Sequence, residues 1–218
     1  MSEAVKLTGI ILRSVDYSEY DRRLVLLTSD RGKITVFAHG VRRSGNRFMA
    51  ATEAFAFGNF SLGEGRSAYN LRDAEIINYF EGLRADLEAY YIGSYFLELS
   101  EYYTRENNDD IEMLKLLYQS LTALISDKYD NRLVKAVFEI KTLAVNGEFP
   151  GIIKNLNLKD GTVHAINYIY SAAPEKLYSF KLREDIEDEL KYAAGIYSSR
   201  FIRFRSKSLE VMEQIRTL

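Results

Sequence analysis

The sequence predicts an α+β protein in which a small β-barrel precedes an α-helical body. Residues 4–78 alternate between apolar and polar side chains and are interrupted by turn-forming residues, which is typical of short strands. From Glu81 onwards, apolar residues recur three and four positions apart, which is the period of helices. We therefore expect a barrel domain over residues 1–80 and a helical domain over residues 81–218.

The first domain is predicted to contain five short strands. They span residues 5–15, 24–28, 33–41, 54–62 and 68–77. The turn Asp30-Arg31-Gly32 joins the second and third strands as a hairpin. In the fourth strand the alternation changes parity at Gly58-Asn59, which indicates a β-bulge. Five strands in about eighty residues fit a closed barrel such as an OB-fold, although an open sheet or an SH3-like barrel would give the same pattern.

The second domain is predicted to be helical with a small irregular or β-like insert. Helices are expected over residues 83–103, 111–125, 133–146, 183–198 and 206–215. The insert covers about residues 149–180, where the helical period is lost. There, Lys159-Asp160-Gly161 indicates a turn, and Val163–Tyr170 has the composition of a strand.

Composition predicts a location inside the cell. Cysteine is absent, which excludes disulfides and thiolate zinc sites. No N-terminal apolar run resembles a signal peptide, and no apolar stretch is long enough to cross a bilayer. We therefore expect a cytoplasmic protein, associated with the nucleoid if it binds DNA.

The net charge of −2 conceals two opposite local patches. Five basic residues and no acidic one lie between Arg31 and Thr52, whereas Glu184–Glu189 is nearly all acidic. Because local charge decides nucleic-acid binding, the first patch is compatible with a DNA partner. The acidic run is expected to be a solvated helix start, where negative charge favours the helix dipole.

The sequence shows no arrangement that is typical of an enzyme. Its only histidines are His39 and His164, and neither a nucleophile motif nor a phosphate-binding glycine loop occurs. We therefore expect no covalent chemistry, no cofactor and no metal site.

The loop between the third and fourth strands is the main candidate for DNA binding. The segment Arg42–Arg47 is rich in arginine, and Phe37 and Phe48 flank it. An OB-fold binds nucleic acid with cations on phosphates and aromatic rings against bases, although an ordinary charged loop would look the same. The candidate DNA-binding residues are Arg31, Lys33, His39, Arg42, Arg43 and Arg47.

A second basic group near the C-terminus is a candidate for binding a protein partner. Its cations are interleaved with Phe201 and Phe204. The alternative is a connector with buried phenylalanines and solvated cations. The candidate partner-binding residues are Arg200, Arg203, Arg205 and Lys207.

Eight short stretches carry a family resemblance through their order and spacing over nearly the whole chain. They are Thr8–Leu12, Tyr17–Asp21 with Leu26–Thr28, Gly32–Lys33 with Ala38–Arg43, Leu71–Ile76, Tyr95–Leu99 and Phe204–Leu209. Together they resemble the bacterial RecO family of recombination and repair proteins. The resemblance implies an OB-fold followed by a helical domain, acting as a non-catalytic recombination mediator.

The resemblance also implies a set of partners. These are single- and double-stranded DNA, which the family binds and anneals, and RecR and single-strand-binding protein, with which it loads RecA. The acidic C-terminal tail of single-strand-binding protein ends in an aromatic residue and a carboxylate, so we expect it to bind the helical domain. The alternative function is a structural or regulatory adaptor that docks proteins and binds no DNA.

In two places the chain departs from the family pattern. Many members carry a four-cysteine zinc module in the helical domain, whereas Phe149–Phe180 here contains no cysteine. This region must therefore be stabilised by packing and not by a metal ion. The second departure is His39, which stands where the family often has lysine. The residues expected to provide that packing are Val163, Ile166, Tyr168, Ile169 and Tyr170.

Overall fold

A computed structural model describes residues 4–65 and 67–216. Within these ranges five strands precede six α-helices, which confirms the predicted α+β class. The strands are β1 (Ala4–Asp16), β2 (Arg22–Thr28), β3 (Gly32–Ala38), β4 (Phe57–Glu64) and β5 (Tyr69–Asn78). The helices are α1 (Leu87–Tyr103), α2 (Ile111–Leu124), α3 (Asn131–Val145), α4 (Asp160–Ser171), α5 (Glu184–Phe201) and α6 (Lys207–Arg216).

The five strands close into a barrel in the order β1-β2-β3-β5-β4. Neighbouring strands are antiparallel, except that β3 and β5 meet in a short parallel pairing of Val36 with Tyr69 and of Phe37 with Asn70. This arrangement fits the predicted OB-fold, a five-stranded and partly open Greek-key barrel. Alternate side chains fill its interior, among them Leu7, Ile11, Leu24, Leu26, Ile34, Val36, Phe60 and Leu62.

An irregularity lies where the sequence predicts a β-bulge, because the register of β4 against β5 shifts between Phe57 and Gly58. Phe55 lies before β4 with a φ of 72°, and Gly58, Phe60 and Leu62 are the alternate buried residues of the strand. The register shifts lie opposite, on β5, where Arg72 and Ile77 have no partner in β4. Gly58 allows the backbone of β5 to approach β4 closely, because a Cβ at this position would overlap the backbone oxygen of Glu75.

The chain divides into two compact units. The first contains the residues up to Glu81 together with Leu97–Leu114, and the second contains Gly82–Phe96 together with the residues from Lys115 onwards. In the first unit Lys33 donates from Nζ to the Glu101 carbonyl at 2.5 Å and from its backbone N–H to the Arg105 carbonyl at 3.0 Å. Burial of the amine lowers the pKa of Lys33.

The insert is helical, so the predicted turn and strand at Lys159–Tyr170 are wrong. Its β-branched and aromatic residues have the composition of a strand, but the buried ones recur at helical spacing. They are Thr162, Ala165, Ile166 and Ile169. Burial of one helix face therefore outweighs local strand propensity.

Opposite charges hold the two ends of α4. At the C-terminal end, the buried Lys141 amine donates to the carbonyls of Tyr170 at 2.9 Å and Ala172 at 2.6 Å. At the N-terminal end, Glu189 accepts from the Lys159 backbone N–H at 2.9 Å and from the Thr162 hydroxyl. Each charge faces the helix end that its sign favours and satisfies backbone groups that the helix leaves unpaired.

Packing also contributes to the stability of the insert. Ile166 and Ile169 are fully buried, whereas Tyr170 is 50% exposed. The ring of Phe149 lies 5.1 Å from that of Tyr170 and 5.4 Å from that of Tyr197, measured between centroids. With no cysteine in the chain, this region cannot supply the thiolate ligands of a four-cysteine zinc module.

Candidate nucleic-acid interface

The loop after β3 is fastened to the loop between β1 and β2. Gly40 turns the chain with a φ of 65°, and its backbone N–H donates to Asp21 Oδ1 at 2.8 Å. His39 Nδ1 lies 3.1 Å from the other carboxylate oxygen of Asp21. The hydrogen bonds from Gly40 and His39 lower the pKa of Asp21, so that its carboxylate stays charged and holds the turn.

Arg42 reinforces the same connection. Its guanidinium donates to the carbonyls of Ser18 at 2.9 Å and Glu19 at 3.1 Å, and it pairs with Asp16 at 3.0 Å. These contacts use much of its hydrogen-bonding capacity within the protein. Arg42 is thus placed to position the loop as well as to add positive charge.

Arg43 and Arg47 are the exposed cations of this loop. Arg43 lies over the ring of Tyr20 at 5.2 Å from its centroid, and no carboxylate pairs with it among the described residues. Arg47 lies over the ring of Phe48 at 4.4 Å and makes only a long, exposed ion pair of 3.4 Å with Asp73. Such a pair contributes little and gives way readily to a phosphate.

The other two predicted DNA-binding residues lie at the opposite end of β3. A strand rises about 3.3 Å per residue, which separates Lys33 from His39 by about 20 Å. Arg31 pairs with Glu64 at 2.9 Å and donates to the Tyr69 hydroxyl at 2.7 Å. The structure therefore brings His39, Arg42, Arg43 and Arg47 together and places Arg31 and Lys33 elsewhere.

Sequence reasoning missed three further residues on this surface. Arg23 lies directly opposite Phe37 across the β2–β3 pair, is exposed, and has no ion-pair partner within residues 4–65 and 67–216. Tyr17 packs edge-on against Phe37 at 4.9 Å, and Tyr20 lies beneath Arg43. Two tyrosines beside a turn were the available signal, but only the fold shows that Tyr17 meets Phe37 on β3 and that Tyr20 meets Arg43 in the loop after it.

The second predicted group lies where α5 ends and α6 begins. Phe201 and Phe204 are partly buried, and Arg203 is exposed. Arg205 pairs with Glu210 in the next helix. The cations of this segment thus surround aromatic residues that are only half available to a partner.

A cavity of about 320 Å³ lies in the same compact unit. Its wall combines apolar side chains, including Ile92 and Met212, with the cations Arg132, Lys135 and Lys191. Glu88 and Glu139 also line it, and Lys135 pairs with Glu139 at 2.7 Å. This concave surface combines apolar and basic side chains, but Arg132 also pairs with Glu88 at 3.4 Å, and Lys191 with Glu187 at 3.1 Å and Asp188 at 3.0 Å. A carboxylate that binds there must therefore compete with these ion pairs.

The described residues contain neither a group of metal-binding side chains nor a membrane-spanning helix. Among residues 4–65 and 67–216, no three His, Asp or Glu side chains are grouped so that they could hold a metal ion. None of the helices in this part of the chain has the length and apolar character needed to cross a membrane.

Comparison with protein families decides the assignment. The sequence model described as "Recombination protein O N terminal" matches residues 1–80, and that described as "Recombination protein O C terminal" matches residues 84–152. The chain belongs to the RecO family. Membership in this family supports a role in DNA repair and recombination.

Two curated relatives match nearly the whole chain, and a third matches about two thirds of it. A DNA repair protein RecO from Clostridium novyi (strain NT) is 24% identical in a 241-residue alignment that covers 97% of this chain and 94% of the relative. The DNA repair protein RecO of Acetivibrio thermocellus is 25% identical in a 247-residue alignment that covers 98% of this chain and 97% of the relative. That of Desulforudis audaxviator is 40% identical over 142 residues, which cover 65% of this chain and 56% of the relative.

Proposed function

We propose that this RecO family chain is a non-catalytic mediator that binds and anneals DNA and, with RecR and single-strand-binding protein, helps to load RecA onto single strands. The observation that carries the proposal is the loop after β3. It presents Arg43 and Arg47 to solvent beside exposed aromatic rings, and Asp21 and Arg42 hold it in place. Such a role brings the protein to the nucleoid in the cytoplasm.

The mechanism is electrostatic. Cations on the barrel replace the counterions around the phosphates, and the released counterions provide much of the binding free energy. Neutralised strands repel one another less, so two complementary strands can approach and anneal. Contacts between these cations and the sugar-phosphate backbone also hold a single strand in place while the recombinase is loaded. His39 lies 3.1 Å from Asn70 Oδ1 and at the edge of this surface, where it adds a polar contact.

Salt dependence separates this function from that of an adaptor that binds no DNA. The full chain is titrated into labelled single- and double-stranded oligonucleotides at 50 and 200 mM salt, and binding is followed by anisotropy. We expect affinity to fall as salt rises, with a linear relation between the logarithms of the two. Absence of binding to both oligonucleotides at 50 mM salt would favour the adaptor.

We further propose that the second compact unit binds the C-terminal tail of single-strand-binding protein. An acidic tail with an aromatic end needs an apolar recess and cations nearby to receive its carboxylate. Two places offer these groups: the segment around Arg203 and the cavity lined by Arg132 and Lys191.

A labelled tail peptide, titrated into the full chain, is expected to bind at micromolar concentration and to lose affinity when its terminal phenylalanine is removed. The variants Arg203→Ala/Arg205→Ala and Arg132→Ala/Lys191→Ala remove two cations each, one pair at each location. We expect one of them to weaken binding about tenfold or more, since a charge-assisted hydrogen bond contributes about 1.5–3 kcal/mol. If the wild-type chain does not bind at low salt, the tail is not its partner.

A further inference from the structure

The outer face of the barrel at the end of β3 carries an aromatic row. Phe37 lies opposite Arg23 on β2, which in turn lies opposite Val15 on β1, so the three side chains share one face. Two rings beside these strands extend the row. The ring centroid of Tyr17 lies 4.9 Å from that of Phe37, and the ring of His39 lies nearly parallel to that of Phe37 with its centroid 6.2 Å away.

The row is partly open to water. Tyr17 is 62% exposed and Val15 on β1 is also exposed, whereas Phe37 is half-buried. Within residues 4–65 and 67–216 the Tyr17 hydroxyl makes no hydrogen bond, so no polar contact in the described part of the chain accounts for its position. Adjacent apolar and aromatic side chains that remain accessible to water are typical of a binding surface.

Two exposed arginines accompany these rings. Arg23 lies beside Phe37 on the same face without an ion-pair partner among the described residues, and Arg43 lies over Tyr20. Aromatic rings together with cations that have no carboxylate partner match a nucleic-acid strand whose bases lie on the rings and whose phosphates lie on the cations.

We propose that Tyr17 and Phe37 form a stacking platform for unpaired bases, which makes this surface select single strands over duplex. The inference rests on the proposed DNA binding and adds its substrate class. A duplex already stacks its bases on one another and offers these rings only a sugar-phosphate backbone. A single strand, by contrast, can turn a base onto Phe37 while its phosphates remain on Arg23 and Arg43.

The experiment compares an oligo-dT strand, an abasic strand of equal length and a duplex, each labelled and titrated with the full chain. The abasic strand keeps the phosphates and lacks the bases. We expect the wild type to bind oligo-dT at least about tenfold more tightly than the abasic strand. Tyr17→Leu/Phe37→Leu should remove this preference without changing affinity for the abasic strand or the duplex. Tyr17→Phe, which keeps the ring, should retain it.

Fluorescence gives a second readout that does not depend on affinity. The chain contains no tryptophan, so Phe37→Trp introduces a single indole on the platform. Oligo-dT should quench its emission by stacking, whereas the abasic strand should not. Tyr192→Trp, at an exposed position on α5, is the matched control and should respond to neither.

Equal wild-type affinity for oligo-dT and the abasic strand, with no quenching at position 37, would overturn the platform while leaving electrostatic DNA binding intact. A wild-type chain that binds none of the three probes would overturn both the platform and the proposed function. If the double leucine variant does not fold, the wild-type ratio and the Phe37→Trp signal still decide the question.

Discussion

Replacement of Arg43 and Arg47 by alanine is expected to weaken single-stranded DNA binding about 25-fold at 0.1 M salt. Each phosphate contact on a single strand contributes about 0.7 to the slope of log affinity against log salt, so two contacts contribute about 1.4. The difference in DNA affinity between the variant and the wild type should become smaller as the salt concentration approaches 1 M. Arg42 is left in place, because its bonds to the Ser18 and Glu19 carbonyls hold the loop.

The matched control is Lys128→Ala/Lys181→Ala. Both lysines are exposed, and the double variant loses the same net charge at a distance from the loop in sequence. Anisotropy titrations at four salt concentrations give the slope for wild type, variant and control. An unchanged slope in the Arg43→Ala/Arg47→Ala variant, or an equal change in the control, would contradict phosphate binding by this loop.

Lys141→Met is expected to lower the free energy of unfolding by about 3 kcal/mol. The change removes two hydrogen bonds from a charged group, each contributing about 1.5–3 kcal/mol, and methionine fills most of the vacated volume. The carbonyls of Tyr170 and Ala172 would lose this donor at a site where Lys141 is only 7% exposed.

Urea unfolding followed by circular dichroism measures this difference. Lys154→Met is the control, because Lys154 is exposed and the same substitution there should change stability by less than about 0.5 kcal/mol. Lys141→Arg should restore part of the loss, since a guanidinium also donates two hydrogen bonds. Equal stability of Lys141→Met and wild type would show that the amine does not hold the end of α4.

The five strands were predictable from the sequence, because their apolar residues alternate or cluster between turn-forming residues. Their closure into a barrel was not, because an open sheet or an SH3-like barrel gives the same pattern. The insert was not, because Val163, Ile166 and Ile169 favour a strand locally and become helical only by burying one face of α4. The charges that hold α4 come from α3 and α5, and their distance in sequence leaves no local signal.

The candidate site was predictable as a segment but not residue by residue. Arg42 and Arg43 are adjacent and chemically identical, yet one is bonded to the β1–β2 loop and the other is exposed. The sequence does not distinguish Lys33 from an exposed hairpin lysine, whereas in the structure its amine donates to the Glu101 carbonyl. Whether a cation is free to bind a phosphate depends on carbonyl and carboxylate partners that lie far away in sequence and are brought close only by the fold.

The contacts of the β2–β3 hairpin with residues 101–107 also affect how the protein folds while it is being synthesised. The Lys33 N–H donates to the Arg105 carbonyl, and the Asn107 N–H donates to the Arg31 carbonyl. When the ribosome has completed β5, these partners have not yet been made, so the end of the hairpin remains without them. We expect the barrel to reach its final stability only after Asn107 has emerged, and chains stalled before that point to be prone to misassembly.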